Sequence, residues 1–182
     1  PVDPESLWSY ELGTKGRFRG GKVILDTSVY YIDWKSIQER VVFPDNRCPE
    51  TLLGNFGNAT IQGGEFAFTL MPTEHLQIGG TIGYSDVDRT RDAIGTTAAE
   101  QVGNTLLTTA IQVQYTFPIS AQMSGYIGAD HQYIEEAEEA APGTPHYNLT
   151  NMRIGLIGSD TWEAAIVGRN IFNNDPVLAT FA

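Results

Sequence analysis

The side chains best equipped for chemistry in this 182-residue chain are few and scattered. Glu135-Glu136-Ala137-Glu138-Glu139 sets four carboxylates within five residues. Hard cations such as calcium favour such donors, but the run lacks the Asp/Asn/Gly spacing of a formed loop site and reads as a solvated, self-repelling loop. His75, His131 and His146 lie far apart. His131 and His146 could meet across one loop, yet no Cys or carboxylate stands at ligand spacing beside them. Cys48 is the single cysteine, so it forms no intrachain disulfide and no CxxC pair. Glu65 and Asp130 could form a carboxylate pair on facing strands only if something fixed their separation. There is no GxSxG elbow, HExxH, P-loop or GxGxxG after a strand. The expectation is therefore no catalytic residue, no metal and no cofactor, in a protein that is not an enzyme.

Charge narrows the partners. Eleven Lys+Arg against 22 Asp+Glu give a net charge of −11, and the basic residues form no stripe, so nucleic acid is not expected to bind. Charged residues make up 18%, below the usual quarter or so, and glycine is abundant at 19 residues. No apolar run approaches the roughly 18 residues of a spanning helix, and the first residues have neither a basic n-region nor an apolar h-region.

The elements that must position these residues are strands. Helical spacing is almost absent, whereas period-two alternation recurs. Leu76, Ile78, Ile82 and Tyr84 oppose Gln77, Gly79, Thr81 and Gly83; Leu107, Ile111, Val113, Tyr115 and Phe117 oppose Thr108, Ala110, Gln112, Gln114 and Thr116. Eight strands are expected, at about 7–19, 22–35, 59–71, 74–86, 105–118, 121–134, 146–157 and 161–171. Tight connections (20–21, 72–73, 119–120, 158–160) alternate with long polar ones (36–58, 87–104, 135–145). An up-and-down meander then places all short turns at one end, the habit of outer-membrane barrels. The strands approach the 9–11 residues of a bilayer crossing, beyond the soluble mode of 5–6. Tyr84, Tyr115, Phe117, Tyr133 and Trp162 end the apolar face as interfacial girdles do. The fold class is all-β: an antiparallel up-and-down meander of about eight long strands, part of a transmembrane β-barrel. A soluble ligand-binding β-barrel with its apolar face turned inward is the alternative reading of the same alternation.

Four segments carry a family resemblance. Pro4-Glu5-Ser6-Leu7-Trp8-Ser9-Tyr10-Glu11-Leu12-Gly13-Thr14-Lys15 resembles the "PE…YELG-K" strand of TonB-dependent outer-membrane receptors. Val29-Tyr30-Tyr31-Ile32-Asp33-Trp34-Lys35-Ser36-Ile37-Gln38 resembles their "YYIDW-IQ" strand. The stretch from Asn58 through Gly63-Gly64-Glu65 to Thr69 resembles "N-A--GGE-E", and Asn170-Ile171-Phe172-Asn173 resembles "NLFN". The four stand in family order across some 170 residues.

The resemblance implies a siderophore-receptor-type, TonB-dependent importer of the Gram-negative outer membrane. Such barrels have about 22 strands and a plugged lumen. Residues 1–182 are then expected to be a fragment of the C-terminal part of that barrel, with no plug, no signal peptide and the last strand missing. The implied partners are outer-membrane lipid, TonB and the plug domain of the full-length protein, and a ferric siderophore or similar small ligand. On the alternation, Phe66, Phe68, Leu70, Leu76, Ile78, Ile82, Ile111, Val113, Ile154 and Ile166 are expected to face lipid. Glu65, Gln77, Gln112, Gln114, Asp130, Arg153, Glu163 and Arg169 take the opposite face, where Glu65, Gln112, Gln114, Arg153, Glu163 and Arg169 are candidates to face the lumen or contact the plug. An autonomous eight-stranded outer-membrane barrel with a structural or binding role is the other membrane alternative; its interior would be filled by its own side chains.

Overall fold

The computed structural model describes residues 2–42, 51–91, 107–135, 147–159 and 161–174. Within them one antiparallel sheet holds eight strands in sequence order. They are β1 (Ser6–Phe18), β2 (Val23–Val42), β3 (Thr51–Leu70), β4 (Leu76–Arg91), β5 (Leu107–Ser120), β6 (Met123–Ile134), β7 (Tyr147–Gly158) and β8 (Trp162–Gly168), with one 3-10 turn at Arg19–Gly21. Arg19, Gly20 and Gly21 take φ of 51°, 66° and 92°, a left-handed run that the Gly-Gly pair makes possible. Among the described residues β1 and β8 do not pair with each other, so the sheet is open. A closed eight-stranded barrel requires that pairing.

Strand ends differ from the sequence reading in an instructive way. The connections expected at 36–58 and 87–104 are partly strand, because β2 runs on to Val42, β3 begins at Thr51 and β4 reaches Arg91. These extensions mix polar and apolar residues without sustained alternation, so periodicity alone does not mark them. β8 in turn stops at Gly168, short of residue 171, because Asn170 (φ 49°) turns the chain. The Asn170 backbone N–H donates to Asn151 Oδ1 at 2.9 Å, and its side-chain amide donates to Asn174 O at 2.6 Å. Asn174 in turn donates to Asn148 O at 2.7 Å. The four-residue motif at 170–173 thus opens an asparagine-tied turn on β7.

The register gives the tilt. Phe18, Val23, Leu70, Ile78, Val113, Ala129, Met152 and Gly168 form one line across the sheet, each paired with the next. That line begins two to three residues from the centre of the first tight turn and ends eight residues from the centre of the last. The drift is about 18 Å of strand over roughly 29 Å of sheet, a tilt of roughly 30°. Transmembrane barrels tilt their strands by about 35–45°.

Directly paired residues share a face, so this register also sorts the side chains. One face carries Leu12, Val29, Phe66, Phe68, Ile78, Ile82, Ile111, Val113, Ile127, Met152, Ile154 and Ile166. Aromatic rows close both of its ends, with Phe18, Phe117 and Trp162 near the tight turns and Tyr10, Tyr31, Tyr84 and Tyr133 at the other end. Between Leu107 and Phe117 the outward positions of β5 cover about 33 Å of strand, or about 27 Å in height once tilted, close to the ~25 Å apolar band of membrane barrels.

No conventional core lies beneath this face. Among the described residues the buried hydrophobic side chains are Ile37, Ala59 and Tyr126. Ile111, Val113 and Ile154, all on interior strands, stay 46%, 40% and 51% exposed. A soluble barrel turns such residues inward; here they are left for an apolar solvent. Glycine abundance also has a local cause. Tyr126 lies across its partner Gly155, Phe117 across Gly125 and Phe68 across Gly80, and a Cβ there would stand 2.5, 2.6 and 2.8 Å from the respective ring.

Candidate functional site

The opposite face is polar and concave: Lys15 on β1 and Arg153 on β7 line one hollow of about 630 Å³. Its floor is made of small residues, including Ala67, Gly79 and Ala110, and its rim of Asp26, Gln112, Asp130 and Arg153. Seven of the eight residues assigned from sequence to the polar face fall on this side by register, all ten assigned to the apolar face fall on the other, and Arg169 lies just past the end of β8, outside the ladder.

The polar residues are not one constellation. Arg153 Nη2 donates to Gln114 Oε1 at 2.7 Å, and its guanidinium stands 5.8 Å from the centre of the Tyr126 ring. The Tyr126 hydroxyl donates to Glu163 Oε1. These contacts join β5, β6, β7 and β8 through Gln114, Tyr126, Arg153 and Glu163. Asp130 accepts from Asn151 Nδ2 at 2.7 Å. Lys15 and Asp26, paired across β1 and β2, form an ion pair of 2.7 Å that is 74% and 47% exposed. Such exposed pairs contribute little to stability. Glu65 and Gln112 share the face without joining the Arg153 cluster, and Arg169 follows the last residue of β8.

Tyr126 is the cluster member that sequence reasoning missed, because aromatic residues occur on both faces and the type alone does not assign one. Its partner Gly155 is the available signal, since the ring needs a bare position opposite. Glu65 and Asp130 are not on neighbouring strands. They sit on β3 and β6, three strand spacings or about 14 Å apart across the sheet, too far to share one small reacting group. His131 lies on the apolar face, its Nδ1 2.8 Å from Thr150 Oγ1. His146, Cys48 and the carboxylates 136, 138 and 139 lie outside the described residues. No cluster of three or more His, Cys, Asp or Glu able to hold a metal occurs among the described residues.

A second polar assembly stands where β2 outruns β1. Lys35 and Ser36 together oppose Asn58, a bulge with Ser36 at φ 57°, and a compensating irregularity before Gln38 restores the register. Ile37 between them is thereby turned to the concave side and buried, 5% exposed. Glu5 Oε1 accepts from the Gln38 N–H at 2.7 Å, and Oε2 from Trp34 Nε1 at 3.1 Å. Asn55 Nδ2 donates to Ser36 O at 2.6 Å and to Asp3 O at 2.9 Å.

A tilted, long-stranded meander, apolar and aromatic-banded outside and polar in its concavity, is the wall of a transmembrane β-barrel. The chain matches the model of the TonB-dependent receptor-like β-barrel over residues 1–171 and belongs to that family. Its members are outer-membrane receptors that take up small nutrients and are transporters rather than enzymes. Among curated proteins no significant match is found.

Proposed function

We propose that this chain is part of the barrel wall of an outer-membrane receptor for ferric siderophores or a comparable scarce nutrient. The observation that carries the reading is the two-sided sheet whose edges, β1 and β8, are unpaired among the described residues. Free strand edges invite further strands, and a family barrel of about 22 has them to supply. The face bearing Phe66, Phe68, Leu76, Ile78, Ile82, Ile111, Val113 and Ile154 then meets lipid. Glu65, Gln112, Gln114, Arg153, Glu163 and Arg169 then face the lumen, where water or a polar plug satisfies them. TonB supplies energy through the plug, and the long connections contribute ligand selectivity, as loops on rigid scaffolds do.

Whole-cell uptake of radio-iron siderophores tests the reading. A strain lacking the gene should lose uptake of one chelate, and the restored gene should recover it only when TonB is present. Unchanged uptake of every iron chelate offered would overturn the iron assignment, and uptake independent of TonB would overturn the coupling.

A further inference from the structure

We infer that Glu5 is a positioning residue: its carboxylate anchors the part of the β2–β3 hairpin that rises beyond β1, and so sets where that hairpin points. The β1–β2 ladder begins at Ser6↔Lys35, so beyond it the edge of β2 has no neighbouring strand among the described residues. Glu5 stands in for one. It takes the Gln38 backbone N–H, which would otherwise face solvent, and the Trp34 indole N–H with its other oxygen. Asp3 extends the substitution, donating its N–H to Asn55 Oδ1 at 2.8 Å and accepting from Gln38 Nε2 at 3.1 Å. On the β3 side Asn58 Oδ1 accepts the Ser36 N–H at 3.1 Å.

The site is built where the ladder is weakest. Lys35 and Ser36 oppose one residue, and bulged backbone is where a strand bends and its twist increases. A hairpin hinged at this point would swing. Bonds from residues 3 and 5 hold both flanks of the bulge to the start of β1, and Ile37 and Ala59 are buried beside it. A carboxylate is the fitting group, since it accepts two N–H donors at once and an amide in its place presents only one acceptor. The functional consequence is a ligand-receiving end whose aim is fixed by two residues, Asp3 and Glu5, of an otherwise extended lead-in.

The test reads hairpin geometry and not uptake, so its failure and that of the iron-uptake reading are separable. In the native protein purified from outer membrane, with Cys48→Ser, spin labels are placed at Leu53→Cys on the hairpin and Asp88→Cys on β4. Glu5→Gln and Glu5→Ala are compared with the parent and with Lys15→Ala on β1. The expected result is a single narrow distance in the parent and in Lys15→Ala. Both Glu5 variants should lose it to a broad distribution, with an upfield move of the Trp34 indole proton and little change in thermal unfolding of the barrel. Should Glu5→Ala fail to assemble, Glu5→Gln carries the test. An unchanged distance distribution in the Glu5 variants, with or without a fall in unfolding temperature, overturns the inference and leaves Glu5 at most an ordinary stabilising contact.

Discussion

Gln112 and Val113 are neighbours on β5, yet the two faces they occupy follow different rules. The Val113 face is continuous and aliphatic, bounded by aromatic rows, and carries almost no internal pairing. The Gln112 face is a mosaic of glycine, alanine, threonine and separate polar contacts around one hollow. The difference teaches that the outward face is specified by its solvent, which tolerates any apolar residue and rejects charge. The inward face is specified residue by residue, through partners such as Arg153 and Gln114.

The same substitution on the two faces should therefore give opposite results. Val113→Arg should cost about 2–4 kcal/mol in the membrane, the penalty for a cation near the midplane, whereas Gln112→Arg at the adjacent inward position should cost under about 1 kcal/mol. Urea unfolding of the native protein in lipid vesicles reads both. Similar costs on the two faces would abolish the contrast.

Packing sharpens the comparison next. Gly155→Val places branched carbon where the Tyr126 ring lies, and overpacking of that kind costs about 1–3 kcal/mol. The same unfolding assay should return this loss together with release of Glu163 from Tyr126. The double variant Tyr126→Ala/Gly155→Val should recover much of it.

Smaller effects belong to the hairpin beyond β1. Asn55→Ala removes bonds to Ser36 and Asp3 and should cost about 1 kcal/mol, the usual worth of a partly exposed hydrogen bond. Amide exchange should accelerate for Ser36 to Gln38 and stay unchanged in β6 and β7. Smallest of all is Lys15→Ala. Its pair with Asp26 is well exposed, so stability should not change measurably and any effect should appear in traffic through the hollow.

Much of the fold is legible in the sequence because the alternation has a period of two and most outward residues are apolar. Ile78, Ile111 and Ile154 mark the face, and the tight turns fix its phase. What sequence reading loses is polar structure held by polar structure. Ser36, Gln38, Asn55 and Asn58 look like loop composition, yet they satisfy one another and carry β2 and β3 beyond the apolar band. Tyr126 goes unseen because aromatic character is shared by both faces, and its assignment turns on the glycine opposite. Glu5 belongs to a motif recognisable by resemblance, but its role depends on the offset between the start of β1 at Ser6 and the bulge at Lys35 and Ser36, which no local pattern encodes.

The account stands on which face meets lipid. Single cysteines placed from Leu107 to Phe117 in the native, vesicle-reconstituted protein, spin-labelled and probed with oxygen and with a water-soluble nickel chelate, test it directly. The account predicts oxygen access at 107, 109, 111, 113, 115 and 117, nickel access at 108, 110, 112, 114 and 116, and a period of two. The opposite phase, or equal access at neighbouring positions, would contradict it.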